Sequence, residues 1–552
     1  MADDIFVFCN GKKSGPYGHD DILRLLADHE IDMTAKIKEN GIWTDAHMLP
    51  WIYEAGEPES PCRPSSPVQE YRFEQTVVCP HCWYKFSLSE VNYISKHLDL
   101  AGDSVLGPEA QQRFLPTVFN EQGYAIDAKG LVCQEMACPH CHLKIPEAVI
   151  DIPSSLFSIV GAPASGKSYY LTAMVWQLRN ILSKQFDYTL SDTDATFNSI
   201  LNSYEQILFL NRQTDEYVAL PKTELQGSNF SDQIMLKGLS IDLPLPFIFT
   251  LNPMVSNKNS NALRNLILYD NAGEHFEPGR DQVTNLATQH LIHSEGIIFL
   301  YDPIKDIRMV TQCNPQDPQV AQVNRGSNQL VLLNEMIARI RKYAGLNSRE
   351  KYSRPLIVVI PKYDAWKDSF CVDLEEYPFT YYSEREMSYS LNLGNVINVS
   401  YMMREYLMRV SPEVVATCES FFSKVYSLPN SALGRMPEYD ASKNMIVIKP
   451  SRLKPVWAEV PMLLLLWLSG LIDGVDAVTS QAVPVENYKF TGDSLICVFP
   501  GIRERQVIPA VYWGRTVYHP QLGRYFKLPD RPSAEDKQDG MPESDDSGFW
   551  QQ

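Results

Sequence analysis

The stretch Leu156–Val160 (LFSIV), followed at once by Gly161–Ser168 (GAPASGKS), decides how the middle of this 552-residue chain folds. The first part is a short and largely apolar run, which is typical of a buried parallel strand. The second part matches G-x-x-x-x-G-K-S, and Tyr169–Met174 (YYLTAM) begins a helix. In this strand–loop–helix context the glycines allow backbone N–H groups to surround a phosphate at the helix N-terminus. The stretch therefore predicts a phosphate-binding loop in an α/β domain with a mostly parallel sheet and flanking helices.

The residues of this loop have distinct expected roles. Lys167 is expected to bridge β- and γ-phosphate oxygens, which makes it a catalytic as well as a binding residue, and the Ser168 hydroxyl is expected to ligate Mg²⁺. Backbone N–H groups supply the remaining phosphate contacts. The predicted phosphate-binding positions are Gly161, Ala164, Ser165, Gly166, Lys167 and Ser168.

A second motif begins where an apolar strand ends in an acid. Asn265–Asp270 (NLILYD) is followed by Asn271–Glu274 (NAGE), which places D-x-x-G after a strand. Asp270 is expected to hold Mg²⁺ through water, and the Gly273 N–H to contact the γ-phosphate. Glu274 is then a catalytic candidate beside that phosphate, where it either acts as a base or slows hydrolysis by charge repulsion. Because water positioning and an arginine finger supply most of the rate in this chemistry, we expect slow intrinsic turnover.

The nucleobase is indicated by residues after a later buried strand. Leu356–Ile360 (LIVVI) runs into Pro361–Asp364 (PKYD), which resembles the N/T-K-x-D guanine motif. In such a motif the Asp364 carboxylate would accept both guanine N–H donors, and Lys362 would pack along the base. Pro361 stands where Asn or Thr normally braces the phosphate loop, so a P-loop ATPase stays open as an alternative.

A last loop completes the expected nucleotide site. The strand at Val425–Ser427 is followed by Ser431–Gly434 (SALG), which resembles the S-A-K/L loop whose backbone contacts guanine O6. These motifs occur in the order expected of the translation-factor-like class of P-loop GTPases. The resemblance implies guanine contacts from Ser431, Ala432 and Leu433.

One further magnesium ligand is expected between the phosphate loop and Asp270. A threonine hydroxyl there would close the Mg²⁺ shell and take part in catalysis. We select Thr223, which lies in a polar loop before the apolar strand at 247–250, although it is equally well a plain loop residue. The threonines considered and set aside are Thr189, Thr193, Thr196 and Thr214.

Four of the 11 cysteines form two nearly identical C-P-H-C pairs. A two-residue gap lets both thiolates of a pair face one ion, and two pairs complete a tetrahedral Zn²⁺ shell that leaves no open position. The intervening segment must then fold back between the pairs. A redox C-x-x-C is the alternative, which the two copies and the absence of a thioredoxin-like context disfavour. The predicted ligands of this structural zinc are Cys79, Cys82, Cys138 and Cys141.

The start of the chain has the pattern of a small α+β module. Ile5–Phe8 predicts a strand, Asn10-Gly11 or Ser14–Pro16 a turn, and Asp20–Ala27 a short amphipathic helix, ahead of Gly41–Trp43 (GIW). A G-P turn, a leucine-bearing helix and a late G-x-W resemble the bacterial GYF-like domain, with phenylalanines in place of its usual opening tryptophan. The alternative to a peptide-binding role is a module that only docks on its neighbours.

A wider resemblance covers about residues 76–475. The C-P-H-C ribbon before the loop, the Asp270–Glu274 motif (DNAGE), the Ser431–Gly434 loop and Pro461–Leu464 (PMLL) are similar to the bacterial double-GTPase family. The resemblance implies GTP and GDP as ligands, Mg²⁺ as cofactor, protein partners that include a second GTPase encoded nearby, and a role in bacterial signalling or defence.

The length exceeds what one hydrophobic core supports, so several domains are expected. The segment 56–75 is rich in Pro and Ser, as linkers are, and the last residues are acidic and cannot bury a core. The predicted organisation is a GYF-like domain at 1–55, a linker at 56–75, a zinc-ribbon region with an insertion at 76–150, a P-loop GTPase domain at 151–475, a β-rich extension at 476–528 and a disordered acidic tail at 529–552. The short strands predicted in the extension are Tyr488–Phe490, Leu495–Phe499 and Val511–Trp513.

Charge and hydropathy narrow the classes of partner. The formal net charge is −18, which argues against nucleic-acid binding because that requires a basic surface. The most apolar run, Val460–Ile472, is too short for a membrane span and predicts a buried helix, and the N-terminus lacks a signal-peptide pattern. We therefore expect a cytoplasmic protein.

These observations favour a GTPase that binds GTP, hydrolyses it slowly and changes its protein interactions with nucleotide state. Two alternatives remain from the sequence. One is a P-loop ATPase, and the other is an interaction scaffold that binds nucleotide with little hydrolysis.

Overall fold

The computed structural model describes residues 5–9, 12–27, 36–39, 42–45, 76–210, 216–221, 231–236, 239–254, 263–270, 289–321, 329–370, 372–383, 387–442, 444–476, 483–485, 487–491, 494–499, 505–519 and 524–530. The predicted linker 56–75 and residues 531–552 of the predicted tail lie outside these ranges. The chain divides into two structural units, Met1–Arg72 and Phe73–Gln552.

The first unit contains a four-stranded antiparallel sheet, in the order β2-β1-β3-β4, and one helix. The elements are β1 Ile5–Cys9, β2 Lys12–Tyr17, α1 His19–Ala27, β3 Lys36–Glu39 and β4 Ile42–Asp45. Val7, Ile22 and Ile37 are fully buried, so sheet and helix share a small core. Of the two predicted turns, Asn10-Gly11 lies between β1 and β2, outside the described residues. The turn predicted at Ser14–Pro16 is wrong, because these residues lie inside β2, where Ser14 pairs with Val7 and Gly15-Pro16 falls at an irregularity in the pairing with β1.

The second unit begins with two hairpins that each carry one C-P-H-C pair at their turn. Sheet β10-β7-β13-β14 joins the second hairpin to the intervening segment, which folds back between the two pairs. The elements are β5 Thr76–Val78, β6 Lys85–Ser87, β7 Asn92–Ile94, β8 Ala101–Asp103, β9 Gly107–Gln111, β10 Arg113–Phe114, β11 Ala125–Ile126, β12 Val132–Cys133, β13 Met136–Ala137, β14 Lys144–Ile145 and α2 Glu147–Asp151.

A seven-stranded sheet forms the centre of the second unit, in the order β16-β19-β20-β15-β21-β22-β25. The five strands from β20 to β25 in this order are parallel, and β19 and β16 continue the sheet in antiparallel fashion. The strands of this region are β15 Ser154–Gly161, β16 Tyr188–Asp192, β17 Ser231–Leu236, β18 Leu239–Pro244, β19 Phe247–Pro253, β20 Arg264–Asp270, β21 Gly296–Leu300, β22 Leu356–Ile360, β23 Thr380–Ser383, β24 Ser388–Asn392 and β25 Val425–Pro429.

Helices pack on this sheet and cover its apolar strands. Every residue of β21 and β22 is buried, as expected for strands covered on both faces. The helices are α3 Lys167–Gln185, α4 Ser199–Glu205, α5 His290–His293, α6 Pro318–Ala321, α7 Gln329–Tyr343, α8 Tyr363–Phe370, α9 Leu393–Val410, α10 Pro412–Phe421 and α11 Val460–Leu468. Short 3₁₀ or π turns lie at Leu88–Glu90, Leu98–Leu100, Gln206–Leu210, Pro303–Lys305, Met309–Gln312, Leu374–Glu376, Pro450–Arg452 and Ala510–Tyr512.

The apolar run near the end of the large domain is a buried helix. Each residue of α11 from Val460 to Leu466 is buried in the main hydrophobic cluster. Within the described ranges, no helix is both long enough and apolar enough to cross a bilayer.

The cysteine-bearing region covers part of one face of the central sheet. Alternate residues of β20 separate into two clusters, with Leu266 and Leu268 in the main helix-bearing core. Ile267 and Tyr269 pack instead with the cysteines at the hairpin turns, in a cluster that includes Cys79 and Cys138. The sheet and the cysteine-bearing region therefore share one hydrophobic core.

The last part of the chain forms two three-stranded sheets, β29-β34-β33 and β30-β31-β32, which pack on α9 through Tyr401 and Tyr512 at a ring distance of 4.6 Å. The strand predicted at Val511–Trp513 is wrong. The chain forms a 3₁₀ turn there, since the Trp513 N–H bonds the Ala510 carbonyl at 3.2 Å. The strands are β26 Glu438–Asp440, β27 Met445–Val447, β28 Gly474–Val475, β29 Val483–Pro484, β30 Asn487–Thr491, β31 Ser494–Val498, β32 Gln506–Pro509, β33 Thr516–His519 and β34 Arg524–Lys527.

Candidate functional site

The strand order of the central sheet reverses at β15. The strands of this sheet that follow β15 in the chain, β16, β19 and β20, lie on one side of it, and the later strands β21, β22 and β25 lie on the other side. In open α/β sheets, ligands bind outside the carboxyl ends of the strands at such a switch point. The G-x-x-x-x-G-K-S loop begins at this end of β15.

The phosphate-loop residues form a tight connection between β15 and α3. Ala164 and Gly166 adopt left-handed backbone conformations, with φ of 52° and 89°. Gly161 has no room for a side chain, because a Cβ would lie 3.0 Å from the Leu300 Cβ and 3.2 Å from its carbonyl oxygen. Ser165 is buried within the loop, and Lys167 is the first residue of α3. The loop thus has the strand–turn–helix geometry that phosphate binding requires.

Lys167 and Asp270 lie together at this loop. The Lys167 ammonium donates hydrogen bonds to the carbonyl oxygens of Gly161 and Ala162, at 2.9 and 3.1 Å. Asp270 ends β20, the neighbouring strand, and its buried Oδ1 has no hydrogen-bond partner among the described residues. Burial raises the pKa of Asp270 to about 6, while the Lys167 charge lowers it. A buried carboxylate oxygen without a donor fits a cation or its bound water.

A second, partly buried acid lies at the ends of β22 and β25. Asp364 is the second residue of α8, and its Oδ1 accepts a short hydrogen bond from the Ser431 hydroxyl. Its Oδ2 is buried and has no hydrogen-bond partner among the described residues. Burial raises the pKa of this carboxyl, against the effect of the Ser431 hydrogen bond. The free oxygen is a place for an N–H donor of a ligand.

Residues 454–456 hold the Ser431–Gly434 loop in place. Ser431 and Val456 exchange two backbone hydrogen bonds of 2.9 and 2.8 Å, and the Lys454 N–H bonds the Leu433 carbonyl at 3.1 Å. The Ser431 hydroxyl also accepts the Gly434 N–H at 2.7 Å. Ala432 and Leu433 pack beside a small cluster that contacts α3. The structure therefore brings Ser431 to Asp364 and fixes its neighbours.

Lys362 extends from the Asp364 motif toward the phosphate loop. Its Cε would lie 3.9 Å from a Cβ on Gly166, and its ammonium lies 2.7 Å from Oδ2 of Asp302. Asp302 follows β21 and is fully buried. Sequence reasoning assigned no role to Asp302, although an acid directly after a buried strand beside β15 is a recognisable signal.

Lys305 is a second cation at the loop that sequence reasoning missed. Its ammonium donates a hydrogen bond to the carbonyl oxygen of Pro163, inside the loop. Pro361, which stands where a side-chain amide or hydroxyl normally braces this loop, has no side-chain donor. Lys305 follows Asp302 by one turn of 3₁₀ helix, so the segment after β21 contacts both Lys362 and the loop.

The four cysteines of the two hairpins converge. Their sulfur atoms all lie within 4.8 Å of one another. The Sγ atoms of Cys79 and Cys141 are 3.7 Å apart, as are those of Cys82 and Cys138. A tetrahedral zinc with Zn–S bonds of about 2.3 Å requires sulfur separations of about 3.8 Å. The four side chains therefore fit one metal ion such as Zn²⁺.

The two cysteine turns have the same local structure. The backbone N–H groups of His81 and His140 point to the preceding cysteine sulfurs, at 3.4 and 3.3 Å. The residue after each second cysteine has a positive φ, 56° at Trp83 and 61° at His142. His81 instead uses its Nε2 to contact the Lys144 carbonyl at 3.0 Å. The His81 ring thus bonds outside the sulfur cluster, whereas the His140 side chain hydrogen-bonds Cys82.

Three predicted site residues, Thr223, Gly273 and Glu274, lie outside the described residues. The described threonines that were set aside bond elsewhere. The Thr193 hydroxyl bonds the Thr250 hydroxyl at 2.8 Å, and the Thr189 hydroxyl donates to the Asn252 carbonyl at 3.4 Å. The Thr196 hydroxyl donates to the Asp194 carboxylate at 2.5 Å. The roles of Thr223, Gly273 and Glu274 at the phosphate loop remain predictions.

Comparison with known proteins gives partial similarities. No protein-family model matches the chain. A protein of Mycolicibacterium smegmatis with a proposed role as ESX-1 scaffolding and assembly protein, SaeC, is 25% identical over 204 residues, which are 37% of this chain and 46% of that protein. The chain thus matches about half the length of this curated relative.

Two solved structures show local similarity to the chain. Era from Aquifex aeolicus bound to GDP·AlF₄⁻ has a TM-score of 0.18 at 16% identity and aligns 53% of this chain with 62% of Era. Sup35 complexed with GDP has a TM-score of 0.19 at 13% identity and aligns 64% of this chain with 53% of that chain. What the present site binds is therefore inferred from its own geometry.

Proposed function

We propose that this protein is a GTPase that binds GTP, hydrolyses it slowly and changes its protein interactions with nucleotide state. The observation that carries the proposal is the position of two carboxylates, Asp270 and Asp364, at the ends of strands on either side of β15. Each has one buried oxygen without a hydrogen-bond partner among the described residues. In the proposal, Asp270 serves the phosphate-bound cation and Asp364 serves the base.

At the phosphate end, Lys167 would exchange its two carbonyl contacts for phosphate oxygens. Ser168 and Asp270 would hold Mg²⁺, which supplies neutralisation of phosphate charge when it is bound with the nucleotide. Thr223 and Gly273 are the proposed residues that respond to the γ-phosphate. Because the Oδ1 of Asp270 lacks a donor among the described residues, a bound cation would relieve an unfavourable burial.

At the base end, the buried Oδ2 of Asp364 favours guanine over adenine. Guanine presents two adjacent N–H donors to a carboxylate, whereas adenine would direct a nitrogen lone pair at it. Leaving a buried acceptor without a donor costs about 1–3 kcal/mol, and more for a charged group. Lys362 would pack along the base, and the Ser431, Ala432 and Leu433 backbone would contact its O6.

Slow hydrolysis is proposed from Glu274. An acid in the place of a water-orienting glutamine brings negative charge toward the γ-phosphate, and neutralising cations supply much of the rate in this chemistry. We expect protein partners, among them a second GTPase encoded nearby, to recognise the GTP state. The scaffolding and assembly name of the M. smegmatis relative is compatible with such partner interactions, in a bacterial signalling or defence system.

The four cysteines are proposed to hold a structural Zn²⁺. Four protein ligands close the coordination shell, so the ion would stabilise the two hairpins and would not take part in hydrolysis. We propose on this basis that the region 76–150 is a zinc ribbon, and we propose from the sequence resemblance alone that the first 55 residues are a GYF-like domain.

The proposal is tested by calorimetric titration of the nucleotide-free full chain with GTP, GDP and ATP in the presence of Mg²⁺. GTP and GDP are expected to bind far more tightly than ATP, and Lys167→Ala is expected to abolish binding. Lys184→Ala, a lysine in the last turn of the same helix, is the matched control and should bind normally. Equal binding of ATP would instead support the ATPase alternative.

Asp364→Asn gives a second and more specific test. An amide at this position matches xanthine rather than guanine, so the variant should shift its preference to xanthine nucleotides. Asp368→Asn, on the same helix, should retain the preference for guanine. Phosphate release is followed in multiple-turnover reactions with GTP in excess, where many turnovers per second without a partner would contradict slow hydrolysis. Binding with no release, even in the presence of partners, would support the scaffold alternative.

A further inference from the structure

The first cysteine turn is bonded directly to the strand that carries Asp270. The Tyr269 hydroxyl donates a hydrogen bond of 2.5 Å to the carbonyl oxygen of Pro80, which lies between the cysteines of the first pair. The indole N–H of Trp83, the residue after that pair, donates to the same hydroxyl at 3.1 Å. Tyr269 is fully buried. The phenol thus connects the metal-binding turn to β20 through two hydrogen bonds.

Tyr269 and Asp270 are consecutive residues of β20, and their side chains lie on opposite faces of the sheet. Tyr269 belongs to the hydrophobic cluster that contains Cys79, Cys138 and Trp83. Asp270 is close enough to Lys167 for its charge to lower the aspartate pKa. Successive strand residues point to opposite faces. Because Tyr269 and Asp270 are joined by one peptide bond, a backbone shift of Tyr269 toward or away from the cysteine turn is expected to move the Asp270 carboxyl.

The short helix α5 contacts both Tyr269 and the first cysteine turn. His290, the first residue of α5, stacks on Tyr269 at 4.9 Å, and its Nδ1 lies 2.5 Å from the Ser158 hydroxyl on β15. His293 stacks on Trp83 at 5.7 Å with the rings 9° from parallel. Tyr269 and His290 therefore flank the segment 271–288, which includes Gly273 and Glu274.

The link depends on the geometry of the cysteine turn. Four sulfurs that all lie within 4.8 Å of one another, two pairs of them 3.7 Å apart, are arranged for one ion, and structural metal sites contribute their binding free energy to folding. The backbone of the turn that carries Pro80 and Trp83 is closed by two hydrogen bonds of Cys79, from its N–H to the Tyr84 carbonyl and from the Trp83 N–H to its carbonyl, each 3.0 Å long. Because both bonds involve one of the four cysteines, loss of the ion is expected to shift the two hydrogen-bonding partners of Tyr269.

We propose that Tyr269 is a positioning residue through which the metal bound by the four cysteines controls nucleotide affinity. With metal bound, Pro80 and Trp83 hold Tyr269, and Tyr269 holds the Asp270 carboxyl beside the phosphate loop. Thermodynamic linkage requires the reverse effect as well, so bound nucleotide increases the affinity for the metal by the same factor. The inference rests on the proposed nucleotide site, and it adds regulation of that site by metal occupancy.

The test measures GDP binding to the full chain in the presence of Mg²⁺, with and without the cysteine-bound metal. Zinc is removed with a chelator and counted with a colorimetric zinc indicator, and circular dichroism monitors the fold. We expect wild-type affinity for GDP to fall about fivefold or more on metal removal, within the usual range of coupling between sites. We also expect saturating GDP to slow zinc release by a comparable factor.

Tyr269→Phe keeps the ring and removes only the hydroxyl. The variant should retain one zinc per chain and bind GDP more weakly, and metal removal should then change its affinity much less than it changes that of the wild type. Tyr84→Phe, an exposed tyrosine on the same turn, is the matched control and should keep the wild-type response. Because Tyr269→Phe is tested with zinc in place, it remains informative if the stripped wild type unfolds.

The outcomes separate the two proposals. If zinc-loaded wild type binds neither GDP nor GTP, the proposed function fails. If it binds GDP, and neither zinc removal from the folded protein nor Tyr269→Phe changes the affinity, the coupling is overturned while the nucleotide site stands. Equal responses of Tyr269→Phe and wild type to zinc removal would also overturn the role of Tyr269.

Discussion

The ammonium group of Lys362 forms a 2.7 Å ion pair with the carboxylate of Asp302. The aspartate is fully buried, and both its backbone N–H and its carbonyl bond the side chain of Gln329, at 2.7 and 2.8 Å. Asp302, which follows β21, therefore holds the ammonium of Lys362, which follows β22 and is expected to contact the base. It also places Lys305, one turn later, against the phosphate loop.

Asp302→Asn should destabilise the protein and weaken nucleotide binding. Removing one partner of a buried pair leaves an uncompensated charge and typically costs about 3–5 kcal/mol. Urea unfolding of the variant checks the stability, and titration with GDP checks the binding. Glu375→Gln breaks the exposed ion pair with Lys454 and should leave both quantities unchanged. Equal effects of the two substitutions would contradict the importance of the buried pair.

Lys305→Met should weaken nucleotide binding by roughly tenfold, about 1.4 kcal/mol, with little change in stability. The substitution removes the side-chain donor to the Pro163 carbonyl and keeps most of the apolar stem. Lys351→Met removes a lysine that likewise donates to one backbone carbonyl, that of Glu419 at 2.8 Å, away from the loop. The control should bind GDP as the wild type does. Unchanged affinity in Lys305→Met would show that the loop needs no brace from this residue.

Gly434→Ala should be far more damaging than Gly345→Ala. Both glycines have a positive φ, 73° and 67°, so alanine is strained at either position by about 1 kcal/mol. At Gly434 the new Cβ would lie 1.8 Å from the Lys454 carbonyl oxygen, whereas at Gly345 nothing lies within 4 Å. Gly434→Ala must therefore displace the loop that carries Ser431. Thermal unfolding and GDP titration of the two variants measure the difference, which should vanish if the Ser431 loop is not part of the site.

Glu459→Gln should stabilise the protein at pH 8 and have little effect near pH 4. Burial raises the pKa of Glu459 to about 7, from an ordinary value of 4.5. The unfolded chain therefore loses its proton at lower pH than the folded protein does, and stability falls as the pH rises between these values. A shift of this size corresponds to roughly 3 kcal/mol, which the neutral glutamine would recover above pH 7.

Urea unfolding of wild type and Glu459→Gln across pH 4 to 8 tests this prediction. Glu438→Gln, a more exposed acid, is the comparison variant and should follow the wild-type curve. A stability difference between Glu459→Gln and wild type that is the same at every pH would contradict burial of the charge as its cause.

Local patterns predicted the elements that depend on short stretches of chain. The strand, loop and helix around Lys167 lie where the G-x-x-x-x-G-K-S spacing places them, because adjacent residues alone set that geometry. The pairing of Cys79 with Cys82, and of Cys138 with Cys141, follows from the two-residue gap for the same reason. Two local predictions were wrong, the turn at Ser14–Pro16 and the strand at Val511–Trp513. Ser14–Pro16 instead continues a strand that pairs with β1, and the chain at Val511–Trp513 closes a local 3₁₀ turn.

The sequence by itself thus determined the loop, its flanking elements and the acids that end the strands, since apolar runs and glycine positions encode these directly. Only the tertiary structure decided which distant groups meet at them. Lys305 reaches Pro163 across 142 positions of sequence, and Trp83 reaches Tyr269 across 186. Such contacts arise from the order of strands in the sheet and from the face that the cysteine-bearing region covers, and no local spacing carries that information.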